Sequence, residues 1–209
     1  AERPAAQGRV LILNALMQLR QLCCDPQLLG SELVPTPINS AKREHLLEMV
    51  SSLVEEGRTI LVFSQFTRML DLIRIDLKKL KIDTLLLTGK TRDRSTLVEQ
   101  FQNGKAPVFL ISLKAGGTGL NLTRADTVIH YDPWWNRSAE QQATDRVHRI
   151  GQHKPVFVYK LLTEDTIEEK IHYLQQSKQD LLELVYHAAE GSSRALALEN
   201  QELLQLLTD

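Results

Sequence analysis

The chain moves between two apolar rhythms. Over residues 9–24, Ile12, Leu13, Leu16, Met17, Leu19 and Leu22 recur at helical spacing. Asp25-Pro26 closes that segment, because a residue ahead of proline is disfavoured in the helical region. Residues 30–39, with Gly30, Pro35 and Pro37, read as a connector. Ser40 then caps a second helix running to residue 56, with Leu46, Leu47, Met49, Val50 and Leu53 apolar and Gly57 as its stop. From residue 59 the rhythm changes to short apolar runs alternating with amphipathic segments. Strands are predicted over 59–63, 83–87, 108–111, 127–131 and 156–161, and helices over 67–80, 92–102 and 137–149. A long helix follows from 166 to about 190, broken by Gly191-Ser192-Ser193 ahead of an acidic, leucine-rich end. No internal repeat is present.

Strands separated by helical crossovers imply a mainly parallel sheet with helices on both faces. Ligands of such sheets sit beyond the carboxyl ends of the strands, which directs attention to the loops after Phe63, Leu87, Ile111 and Tyr131.

Composition narrows this picture. An apolar share of 43% over 209 residues supports a full core, and a net charge of −1 argues against a wholly basic nucleic-acid binder. That average hides a gradient. Residues 87–160 carry 11 Lys and Arg against 6 Asp and Glu, whereas residues 161–209 carry 3 against 10. The basic excess falls on the stretch that holds the candidate loops, as a phosphate-facing surface requires. Cys23 and Cys24 are adjacent within an apolar run and suit buried thiols in a reducing compartment, and no histidine pair has H-x-x-x-H spacing. With no signal peptide and no long apolar run, the chain is expected to be intracellular and free of membranes. Its start at Ala1 without Met suggests a piece of a longer protein.

Candidate chemistry concentrates between Leu113 and Gln152. Ala115-Gly116-Gly117-Thr118-Gly119 follows a predicted strand, where glycines let backbone N–H groups turn toward an anion; taken alone, the glycines favour a plain strand-to-helix turn. The stretch lacks the G-x-x-x-x-G-K-[ST] spacing of a phosphate loop. On a helix over 137–149, Gln142, Arg146 and Arg149 share one face and Ala143, Val147 and Ile150 another, so both guanidiniums would project together toward a phosphate. A surface pair between Asp145 and Arg149 is the ordinary alternative. Trp134 and Trp135 follow Asp132-Pro133: one is expected to bury, the other to meet a base or a nucleic-acid backbone. Lys90, Arg92 and Arg94 cluster after the second strand.

Together these residues resemble the SWI2/SNF2 ATPases of helicase superfamily 2. Q-A-T-D-R-V-H-R-I-G-Q at 142–152 resembles their motif VI, S-L-K-A-G-G-T-G-L-N-L-T at 112–123 their motif V and I-L-V-F-S-Q-F-T at 60–67 their motif IV. L-R-Q-L-C-C-D-P-Q-L-L at 19–29 and D-T-I-E-E-K-I at 165–171 resemble the segments flanking the second motor lobe. The resemblance implies a RecA-like three-layer α/β/α domain with a mainly parallel sheet, at 37–163. A helical segment and connector at 1–36 precede it, and a long helix with an acidic tail at 164–209 follows. It further implies that ATP, with Mg2+, binds between this lobe and an N-terminal RecA-like lobe that supplies the phosphate loop and the D-E-x-H carboxylates. By position, Arg146 and Arg149 would be arginine fingers, disengaged in an isolated lobe. Gly117, Gly119 and Gln142 would lie at the nucleotide. Gln65, Lys90, Lys114, Asn121 and Trp135 would grip the backbone of double-stranded DNA. Pro133-Trp134 departs from the family pattern, and alignment favours Trp135 as the contacting tryptophan.

The expected protein is a monomeric, DNA-stimulated ATPase and translocase, cytoplasmic at the nucleoid or nuclear according to its source. The short family insertions lean toward a bacterial or archaeal member. A strand-separating helicase lobe and a catalytically silent interaction module are the rival readings. Without the first lobe, the chain alone is expected to hydrolyse no ATP.

Overall fold

The computed structural model describes residues 2–30, 34, 38–116, 120–134, 137–147 and 154–176. Helix α1 (Glu2–Cys24) leads into a single 3-10 turn, Pro26–Leu29, whose first N–H groups are met by the Asp25 carboxylate at 2.8 Å from Gln27 N. Proline at the first position of that turn costs nothing, since its missing N–H would be unpaired there. Helix α2 (Ala41–Glu55) starts as expected on Ser40, whose Oγ accepts from Arg43 N at 3.4 Å. It stops at Gly57, whose φ of +77° is the left-handed conformation that glycine adopts without strain.

Strands β1 (Ile60–Ser64), β2 (Thr84–Leu87), β3 (Val108–Ser112), β4 (Thr127–His130) and β5 (Phe157–Lys160) form one sheet in the order β2-β3-β1-β4-β5, with every neighbouring pair parallel. Helices α3 (Thr67–Lys79), α4 (Arg94–Gln102) and α6 (Arg137–Thr144) and the one-turn α5 (Leu113–Gly116) make the connections. Both faces of the sheet are covered, and successive residues serve opposite cores. Ile60, Val62, Val108 and Leu110 pack with Leu46 and Val50 of α2 and Met69, Ile73 and Leu77 of α3. Leu61, Phe63, Phe109 and Ile111 pack on the other side with Phe101 of α4. This is why β1 and β3 read as unbroken apolar runs rather than alternating ones. It is also the three-layer RecA-like arrangement.

One expectation needs correction. The helix expected to reach residue 149 ends at Thr144. There the Thr144 hydroxyl donates to the Glu140 carbonyl at 3.2 Å, a back-bond that competes with the helical ladder, and residues 145–147 form a turn. Strand β5 is apolar in sequence yet open at the sheet edge, with Phe157 and Val158 both 43% exposed. The Arg58 guanidinium covers the Phe157 ring at 4.3 Å. The helix expected from 166 is present over 167–176; its remainder lies outside the described residues. There Ile167 and Ile171 join Leu16 of α1 in a satellite core, so the first and last helices of the described chain pack together. Among the described residues no helix is long and apolar enough to cross a membrane.

Candidate nucleotide and nucleic-acid interface

A parallel sheet brings all its carboxyl ends to one edge, and that edge gathers three of the expected contacts. Gln65 follows β1, Lys90 follows β2 and Lys114 follows β3 directly. These strands are neighbours in the order β2-β3-β1, so the three residues stand side by side. Lys90 and Lys114 are exposed. The Lys90 loop is a tight turn: Thr91 N donates to Thr88 O at 3.1 Å, and Thr88 N to Thr91 Oγ1 at 3.0 Å. Asp93 then caps α4, accepting from Thr96 N at 3.0 Å. Gly89-Lys90-Thr91 spells the last three residues of a phosphate loop, but Thr84 stands in strand β2 where such a loop needs its first glycine. Gln65 is half-buried, its N–H donates to Asp132 Oδ2 at 3.3 Å, and its Nε2 is buried with no acceptor among the described residues.

Asn121 stands apart from this row. It is exposed, and its carbonyl accepts from Gln102 Nε2 at 3.2 Å, at the opposite end of α4 from the Lys90 loop. Its neighbour Leu122 donates from N to the Arg146 carbonyl at 3.2 Å, so the Asn121 segment and the residue pair after α6 are tied together. Arg146 lies in the turn after α6 with only 2% of its surface exposed, not projecting from a helix face as the periodicity predicts. Gln142 is exposed on α6 and separated from Arg146 in this respect. Asp145 accepts from Gln141 Nε2 at 2.9 Å. Gly117, Gly119, Trp135 and Arg149 lie outside the described residues.

The loop after β4 is held from three sides. Asp132 is 1% exposed beside Ser64 and Gln65, and burial, opposed by Ser64, Arg20 and Lys42, raises its carboxyl to about 6. The Arg20 side chain, also buried, donates Nη2 to the Pro133 carbonyl and lies over the Trp134 ring at 5.9 Å. Trp134 N donates to Glu140 Oε1 at 2.7 Å, and Glu140 is paired through Oε2 with Lys160 Nζ at 2.6 Å. Trp134 is half-buried and packs against the core on the α4 side. Beneath the loop, Tyr131 donates its hydroxyl to Cys24 O at 2.8 Å, and burial pushes that hydroxyl well above its ordinary range. Burial likewise raises the Cys24 thiol. Lys42 pairs with buried Glu168 at 2.5 Å, which joins α2 to the last helix.

His130, at the end of β4, stacks on Phe63 at 5.6 Å between ring centroids. Thr144 gives its proton to Glu140 O, so it accepts from His130 Nε2 at 3.2 Å, which sets a neutral Nε2–H tautomer. Burial, opposed by Glu140, lowers His130 to about 4. Arg20, Glu140 and Glu168 escaped the sequence reading. Their partners lie far along the chain (Pro133 is 113 residues from Arg20), and no local pattern marks a charged residue for burial. Among the described residues no group of three His, Cys, Asp or Glu side chains is placed to hold a metal ion.

Known proteins share this arrangement. Residues 41–151 match the family described as the helicase conserved C-terminal domain. An ATP-dependent helicase of Mycoplasma pneumoniae is 41% identical over 93% of this chain and 19% of its own length. The human SWI/SNF-related matrix-associated actin-dependent regulator of chromatin subfamily A member 1 is 37% identical over 95% of this chain and 20% of its own length. The Sulfolobus solfataricus SWI2/SNF2 ATPase core in complex with dsDNA superposes with a TM-score of 0.65 at 36% identity, covering 81% of this chain and 36% of that one. The chain spans about a fifth of the length of the curated relatives it matches. With motifs, parallel strand order and matched residues in agreement, the chain belongs to the helicase C-terminal domain family, as a C-terminal lobe of the SWI2/SNF2 type.

Proposed function

We propose that this lobe is the second motor lobe of an ATP-dependent double-stranded DNA translocase or remodeller. It contributes backbone contacts to DNA and, when a nucleotide-loaded first lobe closes on it, arginines to the γ-phosphate. The observation that carries the DNA half of this reading is the sheet order, which sets Gln65, Lys114 and Lys90 at the carboxyl ends of three adjacent strands. Two exposed lysines suit phosphate oxygens and carry no base-reading geometry, as a translocase indifferent to sequence needs; the Gln65 amide, whose Nε2 is buried here, would turn outward to join them. The solved relative with dsDNA supports the same choice of ligand.

Arg146 and Arg149 are the proposed fingers, with Gly117, Gly119 and Gln142 at the nucleotide. Charge stabilisation by a planar guanidinium is the part that a second lobe contributes to phosphoryl transfer. Burial of Arg146 in the free lobe implies that it turns out on closure. ATP and Mg2+ are then held mainly by the first lobe. The proposed division is a lobe at 37–163 with helical extensions at 1–36 and 164–209.

The test is binding of a mixed-sequence duplex as a function of salt. Each phosphate contact adds about 0.9 to the slope of log affinity against log salt. Lys90→Ala and Lys114→Ala should each weaken binding on every sequence and reduce that slope by about one. Unchanged slopes would remove the row from the DNA interface.

A further inference from the structure

We propose that Arg20 is a positioning residue for DNA engagement: it locks the Asp132-Pro133-Trp134 loop so that this loop and the Gln65 loop meet the duplex as one rigid edge. The inference rests on the DNA-binding reading of that edge.

Four observations converge on it. Arg20 stands on α1, outside the parallel sheet, yet it is 2% exposed and donates to the main chain of the loop at Pro133. Its guanidinium also lies over the indole of Trp134 at 5.9 Å. Asp132, the residue before Pro133, accepts the N–H of Gln65 at 3.3 Å, which binds the end of β4 to the end of β1. On the far side, Glu140 takes the N–H of Trp134 at 2.7 Å. The peptide from 132 to 134 is thereby fixed at the Asp132 side chain, the Pro133 carbonyl and the Trp134 N–H.

The choice of arginine follows from geometry. A planar guanidinium has several in-plane donors for a carbonyl and a weakly hydrated face that lies readily over an aromatic ring, a pairing that the compact, strongly hydrated lysine ammonium reproduces less well. Burying a charge to fill space alone is costly, and a methionine would fill it without that cost. The two functions of the fork, edge to Pro133 and face to Trp134, account for a guanidinium at this place. Trp134 and Trp135 are the only tryptophans of the chain, so intrinsic fluorescence reads this loop alone.

The experiment compares Arg20→Lys, Arg43→Lys, Gln65→Ala and Trp135→Ala in the full chain. Arg43 is a control from a second network: it pairs with Asp25 at 3.0 Å and Asp76 at 3.4 Å, and among the described residues its ion pairs involve neither loop. Circular dichroism and melting establish folding, tryptophan emission reports the loop, and anisotropy of a labelled duplex gives affinity. Arg20→Lys should shift tryptophan emission and weaken duplex binding about fivefold, while Arg43→Lys lowers the melting temperature without either change. Gln65→Ala should weaken binding with emission unchanged. If Gln65→Ala weakens binding and Arg20→Lys does not, the positioning role is wrong and the interface stands. If Arg20→Lys and Arg43→Lys weaken binding equally, Arg20 acts only through stability and the proposal fails. If Gln65→Ala and Trp135→Ala both leave affinity unchanged, the DNA reading of this edge falls and takes the proposal with it.

Discussion

His130 and Asp132 sit two residues apart at the end of β4 and pull the pH response in opposite directions. Burial holds His130 near 4 in the folded chain against 6.5 free, so its contribution is present above pH 6.5 and is lost as pH falls toward 4. Burial holds Asp132 near 6 against 3.8 free, so its contribution is present below 3.8 and is lost as pH rises through 6. Between pH 4 and 6 the two slopes oppose each other. Asp132→Asn exposes the histidine, and the variant should lose stability relative to the parent chain on acidification from pH 6 to 4. His130→Gln exposes the carboxyl, and that variant should gain over the same range. Melting temperatures measured at half-unit steps decide this, and two variants with the parent's pH profile would contradict the assigned shifts.

Elements were legible in proportion to how local their causes are. Ser40, Asp25-Pro26 and Gly57 act within a few residues of themselves, and the boundaries they predict stand in the structure. Ser40→Ala should cost about 1 kcal/mol, lowering the melting temperature by roughly 2–4 °C. The Cys24 carbonyl that Ser40 also serves keeps its bond from Tyr131, so no buried acceptor is orphaned. An unchanged melting temperature would show that the cap is dispensable. Helix α6 shows the opposite case. Its periodicity continues past Thr144, but Thr144 is engaged by His130 and by Glu140, and a tertiary contact overrides the pattern. The exposure of β5 was likewise illegible, because an apolar run does not say which strand takes the sheet edge. For the site, the loops at the strand ends were readable from topology rules, and Gln65, Lys90 and Lys114 do share one edge. The buried arginine that organises the neighbouring loop was not, since Arg20 meets Pro133 only through the fold.

At the scale of the molecule, the lobe is a rigid sheet with one chemically loaded edge. Helices α1 and 167–176 pack on each other; α1 reaches that edge through Arg20, and Glu168 ties the last helix to Lys42 of α2. The described residues supply basic and amide groups but no acidic cluster for a metal and no complete phosphate loop. The proposed chemistry is divided between two lobes, so on that proposal the chain by itself should hydrolyse no ATP with or without duplex DNA. The claim on which this account turns is that its arginines complete a nucleotide site formed elsewhere in the full-length protein. The most direct measurement is DNA-stimulated ATP hydrolysis by that protein carrying Arg149→Ala, with duplex affinity measured alongside. Stimulated turnover should be lost with DNA affinity largely intact; turnover equal to that of the parent protein would contradict the role of these arginines.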